Sequence, residues 1–224
     1  MERSGLGQPS AIEVGVSALN RTYAGRSATE RRVARRERLL EAALRTFGTR
    51  GYAATTIEQI CSAACVTARH FYEEFENREA LLTAAFDAVV DDVMANMRAA
   101  IEAPEKSAEA VVRDGVTAYF TSVTADARRA RIMVLETIGV SPRLEAHRRR
   151  ALCAFVSEVV RAARRLHDTP TPPTLDVELL GSALIGAGQE LTTEWVLAHQ
   201  PPSVPALIDL LSEIWIRSLE LDRR

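Results

Sequence analysis

Residues 38–82 read RLLEAALRTFGTRGYAATTIEQICSAACVTARHFYEEFENREALL, and their punctuation decides the fold. Leu40, Ala43, Leu44 and Phe47 fall at i, i+3, i+4 and i+7, the buried stripe of an amphipathic helix. The period starts at Arg31, and Gly48 or Gly51 ends it. Thr55 or Thr56 then caps a short helix, because a threonine oxygen accepts the free N–H groups of a first turn. That helix carries Ile57, Ile60 and Cys61 inward. Ala64-Cys65-Val66 leaves room only for a tight turn, with Val66 plugging the corner. Thr67 caps the next helix, Ala68–Glu73, which sends Phe71 and Phe75 inward. Helix, about four residues, helix is the spacing of a helix-turn-helix, whose second helix can lie in a major groove. Spacing alone leaves an ordinary three-helix packing open.

Working outward, residues 1–29 show no sustained period. Gly5, Gly7, Pro9, Gly15 and Gly25 are scattered among polar residues, which predicts a flexible arm. Arg21 and Arg26 could touch DNA phosphate or a minor groove; a tail without a role is the plain alternative. The formal charge of the 224 residues is −2, but it is unevenly spread. Residues 1–78 hold twelve Arg against nine Asp and Glu, and the remainder is acidic. A basic end on an acidic chain points to a nucleic-acid module or to a solvated helix face. The composition, 47% hydrophobic and 26% charged, excludes a disordered chain or a collagen-like fibre. Apolar runs such as Gly181–Gly188 are far short of the ~18–20 residues of a membrane helix. The first twenty residues lack the basic start and apolar centre of a signal peptide. Three cysteines (Cys61, Cys65, Cys153) are too few for a disulfide scaffold, so a reduced, cytoplasmic protein is expected.

The linked positions Arg38-Leu39-Leu40-Glu41-Ala42-Ala43-Leu44, Phe47, Arg50-Gly51-Tyr52, Thr55-Thr56-Ile57, Ala63 to Thr67, Phe71-Tyr72, Phe75 and Arg78 to Leu82 resemble the N-terminal domain of the tetracycline-repressor (TetR) family. The resemblance implies an all-α protein of about nine helices: a three-helix DNA-binding domain (residues 30–78) and a larger ligand-binding and dimerisation domain (residues 79–224). It implies operator DNA, a second copy of the chain and a small-molecule effector as partners, and no cofactor. By the same resemblance, Thr55 or Thr56 would contact phosphate. Thr67, Arg69 and His70 would face the major groove, with Arg69 able to read guanine through its planar fork or, alternatively, to pair with phosphate. Tyr72 and Arg78 would touch phosphate, Arg78 standing where the family usually has a lysine. Cys65 replaces the turn's usual glycine, at a cost of about 1 kcal/mol if its φ is positive. Cys61, in place of a common alanine, reads as a small buried hydrophobe, with a redox pair to Cys65 as the alternative. Glu73 and Glu74 are acidic where the family often has His and an aromatic; phosphate repels a carboxylate, so affinity is modest or these side chains point away.

The rest reads as helix after helix, without strand alternation. The spans are Glu79–Ala100, Ser107–Val123, Ala125–Val140, Arg143–His167, Asp176–Ala198 and Val204–Leu221. Phe86, Met94, Met97, Tyr119, Phe120, Met133 and Phe155 are candidates to line an apolar pocket or, singly, ordinary core. The last two helices carry wide apolar stripes. Leu180, Leu184, Gly188, Leu191, Leu207, Leu211 and Trp215 are the expected dimer interface, with a merely intramolecular core as the alternative. Arg148 to Arg150 with Arg161, Arg164 and Arg165 read as a second, solvated basic face. No metal-spaced Cys/His cluster, phosphate loop or nucleophile elbow is present, so no enzyme is expected. Two functions remain: a regulator released from its operator by a ligand, or a helical ligand-binding or interaction protein with weakened operator recognition.

Overall fold

The computed structural model describes residues 27–102, 107–166 and 177–218, among which nine α-helices and no strand occur. The predicted arm with Arg21 and Arg26 lies outside the described residues. Helix α1 (Ala28–Arg50) opens on a reciprocal cap. Ser27 Oγ accepts the Glu30 N–H at 3.1 Å, and the Ser27 N–H donates to Glu30 Oε2 at 2.5 Å. Gly51, at φ +87°, ends it. Thr56 caps α2 (Ile57–Ala64) in the same reciprocal way with Gln59, and Thr67 caps α3 (Ala68–Glu74). The helix-turn-helix spacing therefore holds, with α3 one residue longer than expected.

Cys65 takes the left-handed conformation at φ 52° and ψ 49°, where its N–H and that of Val66 close the end of α2 on the Ser62 and Cys61 carbonyls. Its side chain is exposed, so it gains no packing for that conformation. Cys65→Gly is expected to raise stability by up to about 1 kcal/mol, read as a higher denaturant midpoint. Cys61 is buried, and burial, then the charge of Glu58, pushes its thiol above the ordinary range. Neither cysteine is in a disulfide.

The body follows as α4 (Arg78–Ile101), α5 (Ala108–Thr124), α6 (Ala127–Arg131), α7 (Pro142–Leu166), α8 (Val177–Leu197) and α9 (Val204–Ser218). The single helix predicted over Ala125–Val140 is instead α6 continued by a π-helical turn at Ile132–Glu136. Pro142 starts α7, one residue before the expected Arg143, at the position where its missing N–H costs nothing. One apolar core runs from Leu39, Phe47, Ile60 and Phe71 of the head through Leu81 and Phe86 of α4 to Phe120, Met133 and Leu144.

Head and body meet where the end of α1 crosses α6. A Cβ placed on Gly48 would lie 2.4 Å from Arg128 Cβ and 2.8 Å from its Cα, so glycine is what permits the crossing. Beside it, Glu136 of the π turn accepts the Tyr52 N–H at 2.6 Å and the Arg131 Nε–H at 2.7 Å. Arg78 completes the joint, donating to the Thr55 carbonyl and stacking 4.2 Å above the Tyr52 ring.

The C-terminal pair departs from expectation. Leu184, Gly188, Leu207, Leu211 and Trp215 are buried within the single chain. A Cβ on Gly188 would stand 3.3 Å from Leu211 and 3.7 Å from the Tyr119 ring, so this glycine serves α5 and α9 of its own chain. Leu180 and Leu191 are half-buried against the same core. The stripe read as an intersubunit face is therefore mainly the intramolecular side of α8 and α9. A period of 3.6 shows that a helix has a buried face and not whose surface covers it. The outward faces carry Leu179, Leu197, Leu210 and Ile214, together with Ala183 and the unobstructed Gly186.

Candidate nucleic-acid interface

Burial of Phe71 and Phe75 turns the opposite side of α3 to solvent. Ala68, Arg69, Tyr72 and Glu73 form that outward stripe. The Arg69 side chain is 87% exposed, and its Nε–H donates to Glu73 Oε1 at 3.2 Å. Tyr72 is 58% exposed, its ring edge-on to Phe71 at 5.3 Å. Thr67 is exposed at the start of the helix, accepting the His70 N–H at 3.3 Å. His70 itself is half-buried, facing a groove between α1 and α3 that Arg31, Arg35, Arg38, Cys65 and Thr67 also line.

One expected contact is corrected. Thr55 is fully buried, and its hydroxyl donates to the Gly51 carbonyl at 2.7 Å, so only the exposed cap Thr56 can reach a phosphate. Arg78 is half-buried and held by the Thr55 carbonyl and the Tyr52 ring, a joint between the N-terminal helices and α4.

The arginines of α1 are exposed apart from the half-buried Arg35, and several also bind groups of the chain itself. Arg32 Nε and Arg35 NH2 meet the two oxygens of Glu74 at 3.1 and 2.9 Å. Arg36 stacks 4.5 Å above the Phe75 ring, Arg38 reaches the Cys65 carbonyl at 3.5 Å, and Arg45 the Ala63 carbonyl at 2.7 Å. These five arginines clamp α1 to α2, the turn and α3. Glu74 is the acceptor at the centre of the clamp, with a side chain only 1% exposed. Burial works to raise its pKa, but the hydrogen bonds and charges of Arg35 and Arg32 outweigh it and hold the carboxyl below its ordinary value. Sequence reasoning missed this role, since its partners lie 39 and 42 positions away. Of the two unexpected acids, Glu74 turns away from the outer face and Glu73 remains on it.

In the body, Phe86, Met94, Tyr119, Phe120, Met133 and Phe155 are buried in one cluster, and Met97 packs half-buried at its edge. Tyr119 shares a 3.0 Å hydrogen bond with Thr192, and burial pushes its phenol up to about 12, so it stays protonated. On the second basic face, Arg148 pairs with Glu145, while Arg161 and Arg98 pair with Glu158. Arg164 and Arg165 have no described side chains. Among the described residues, no group of three or more His, Cys, Asp or Glu is placed to hold a metal, and no helix is long and apolar enough to cross a membrane.

An outward α3, capped by threonine and carried by two helices behind it, defines a helix-turn-helix protein with a helical body. Residues 39–85 match the family model of bacterial regulatory proteins, tetR family. The chain's sequence is 32% identical over 88 residues to the HTH-type transcriptional repressor ComR of Escherichia coli (strain K12), a match spanning 39% of this chain and 40% of ComR. The chain thus spans about two fifths of that curated relative. The fold extends further. The transcriptional regulator FadR from Bacillus subtilis, solved in complex with stearoyl-CoA, superposes with a TM-score of 0.72 at 20% identity, over 80% of this chain and 96% of that one. The fatty acid degradation regulator FadR from Bacillus halodurans gives 0.69 at 21% identity, over 85% and 97%.

Proposed function

We propose that the chain is a DNA-binding transcriptional regulator, a repressor that leaves its operator when a small apolar molecule binds the body. The observation that carries this reading is the outward stripe of α3, with Arg69 and Tyr72 presented to solvent beside the exposed caps Thr56 and Thr67. Arg69 suits the acceptor edge of guanine, Tyr72 and Thr56 suit phosphate, and Thr67 and His70 lie close enough to α3's start to join them. Support for the effector is the stearoyl-CoA held by the Bacillus subtilis FadR of like fold; Phe86, Met94, Met97, Tyr119, Phe120, Met133 and Phe155, which pack in the continuous apolar core, are the residues that would line its site. An acyl-like ligand is the class that such a lining suits.

A homodimer is part of the same reading. Two copies would present their α3 helices ~34–36 Å apart on one face of a duplex. The outward Leu179, Ala183, Gly186, Leu210 and Ile214 are the residues of α8 and α9 left for that contact. Effector binding shifts the spacing only if it binds one spacing more tightly than the other.

The second reading, a helical binding protein with weakened operator recognition, draws on the cancelled charge of Arg69 by Glu73. Selection of bound duplexes from a random pool, followed by titration across a salt series, separates the two. A regulator selects a sequence and loses affinity steeply as salt rises. Arg69→Ala is expected to flatten the preference at one base pair in each half-site by about 1–3 kcal/mol. A pool that emerges unenriched would remove the first reading.

A further inference from the structure

We infer that Glu73 is a specificity-positioning residue: it holds the Arg69 guanidinium off phosphate and aims its free end at a guanine edge. This rests on the DNA-binding reading above. Arg69, Tyr72 and Glu73 stand at i, i+3 and i+4 on the one outward stripe of α3. The Glu73 carboxylate is 40% exposed, with Oε1 3.2 Å from Arg69 Nε and Oε2 3.4 Å from Arg35 NH2. Arg35 is itself fixed by Glu74 at 2.9 Å. A chain of alternating charge thus runs from the buried Glu74 through Arg35 and Glu73 to the exposed tip of Arg69.

Two consequences follow from this geometry. The pair engages Nε, one edge of the Arg69 fork, and leaves the NH1–NH2 end to donate two parallel hydrogen bonds. Guanine offers two acceptors, O6 and N7, that match such an end. Pairing with Glu73 therefore does not compete with base reading, and it removes rotamer freedom that Arg69 would otherwise lose on binding. Phosphate is treated differently. The outward charges of Arg69 and Glu73 sum to zero, so a duplex with no guanine at the right place meets a carboxylate and no net cation. Glu73 thereby weakens sequence-independent binding more than it weakens operator binding.

The test uses the full chain, the duplex that the wild type selects from a random pool and a shuffled duplex of equal length. Fluorescence anisotropy gives affinities for both across a salt series, for wild type, Glu73→Gln, Arg69→Ala and the double variant. Glu73→Gln is expected to bind the shuffled duplex about threefold or more tighter, with a salt slope steeper by about one. Its ratio of selected to shuffled affinity should fall by about tenfold. Reselection with this variant should weaken guanine at one position per half-site. The double variant should match Arg69→Ala in base preference, because both then lack the aimed fork. Arg35 keeps Glu74 in every variant, so equal melting temperatures will show that the clamp is intact. If the wild type selects a sequence and Glu73→Gln keeps both the ratio and the guanine, the inference is overturned alone. If the wild type selects nothing, the DNA-binding reading falls with it.

Discussion

Gly48→Ala is expected to lower the thermal midpoint by several degrees and, on the proposed DNA-binding reading, to weaken binding to the selected duplex along with it. The new methyl would sit 2.4 Å from Arg128 Cβ, 2.8 Å from Arg128 Cα and 3.0 Å from its carbonyl oxygen. Two of those three atoms are backbone, so no side-chain rotation relieves the contact. Either α6 or the end of α1 has to move. Overpacking of this kind costs about 1–3 kcal/mol, against which the better helix propensity of alanine returns about 1 kcal/mol. Movement there also strains the neighbouring bonds of Glu136 to Tyr52 and of Arg78 to Thr55, which is why affinity should fall as well. Thr49→Ala is the control. Thr49 is the next residue, exposed, and its hydroxyl returns to the Arg45 carbonyl of its own helix, so its loss should stay within about 0.5 kcal/mol. Calorimetry of both variants decides. Equal melting of Gly48→Ala and wild type would show that α1 and α6 do not approach as closely as described.

The second large effect is expected at Glu74 and depends on pH. Glu74→Gln keeps the shape of the side chain but gives up charge-assisted hydrogen bonds to Arg32 and Arg35. Near neutral pH the variant should lose about 1–2 kcal/mol, the lower end of the range for charged bonds because Arg32 remains mostly in water. The folded carboxyl titrates below its ordinary value of 4.5, so the ionised form is favoured by folding. Its contribution is fully present above 4.5 and fades as pH falls through the lower folded value. The gap between wild type and variant should therefore be constant from neutrality down to the ordinary glutamate range and close in stronger acid. Urea titrations at a series of pH values give that gap directly. A gap that widens in acid would contradict the clamp.

The helix-turn-helix was legible because its signals are local. Threonines at 56 and 67 lie next to the helices they cap, and the stripe of Ala43 and Phe47 repeats within one helix. The turn also marked Cys65 as the residue whose φ mattered, and it is positive. What escaped was set by contacts distant in sequence. Thr55 and Thr56 look alike in the chain, and only the return of the Thr55 hydroxyl to Gly51 decides which is exposed. The arginines of α1 read as part of a nucleic-acid module or as a solvated face; they are mostly exposed, and what the sequence did not show is that Glu74, Phe75, Cys65 and Ala63 also hold them. Leu184, Leu207, Leu211 and Trp215 read as a face for a second copy because periodicity marks burial without naming the neighbour. Gly48 read as a possible end of α1, but it lies inside the helix, and its need arises from Arg128, eighty positions on.

The wide turn at Ile132–Glu136 has a mechanical meaning. Its first three residues are sunk in the interior, and its last grips the Tyr52 N–H. Rewinding that segment to ordinary α pitch would rotate whatever follows by roughly 100°, one residue's share of a helical turn. Glu136 would swing off its donor at the same stroke. Glu136 thus fastens the N-terminal helices, through the Tyr52 backbone, to the same turn that buries Ile132, Met133 and Val134.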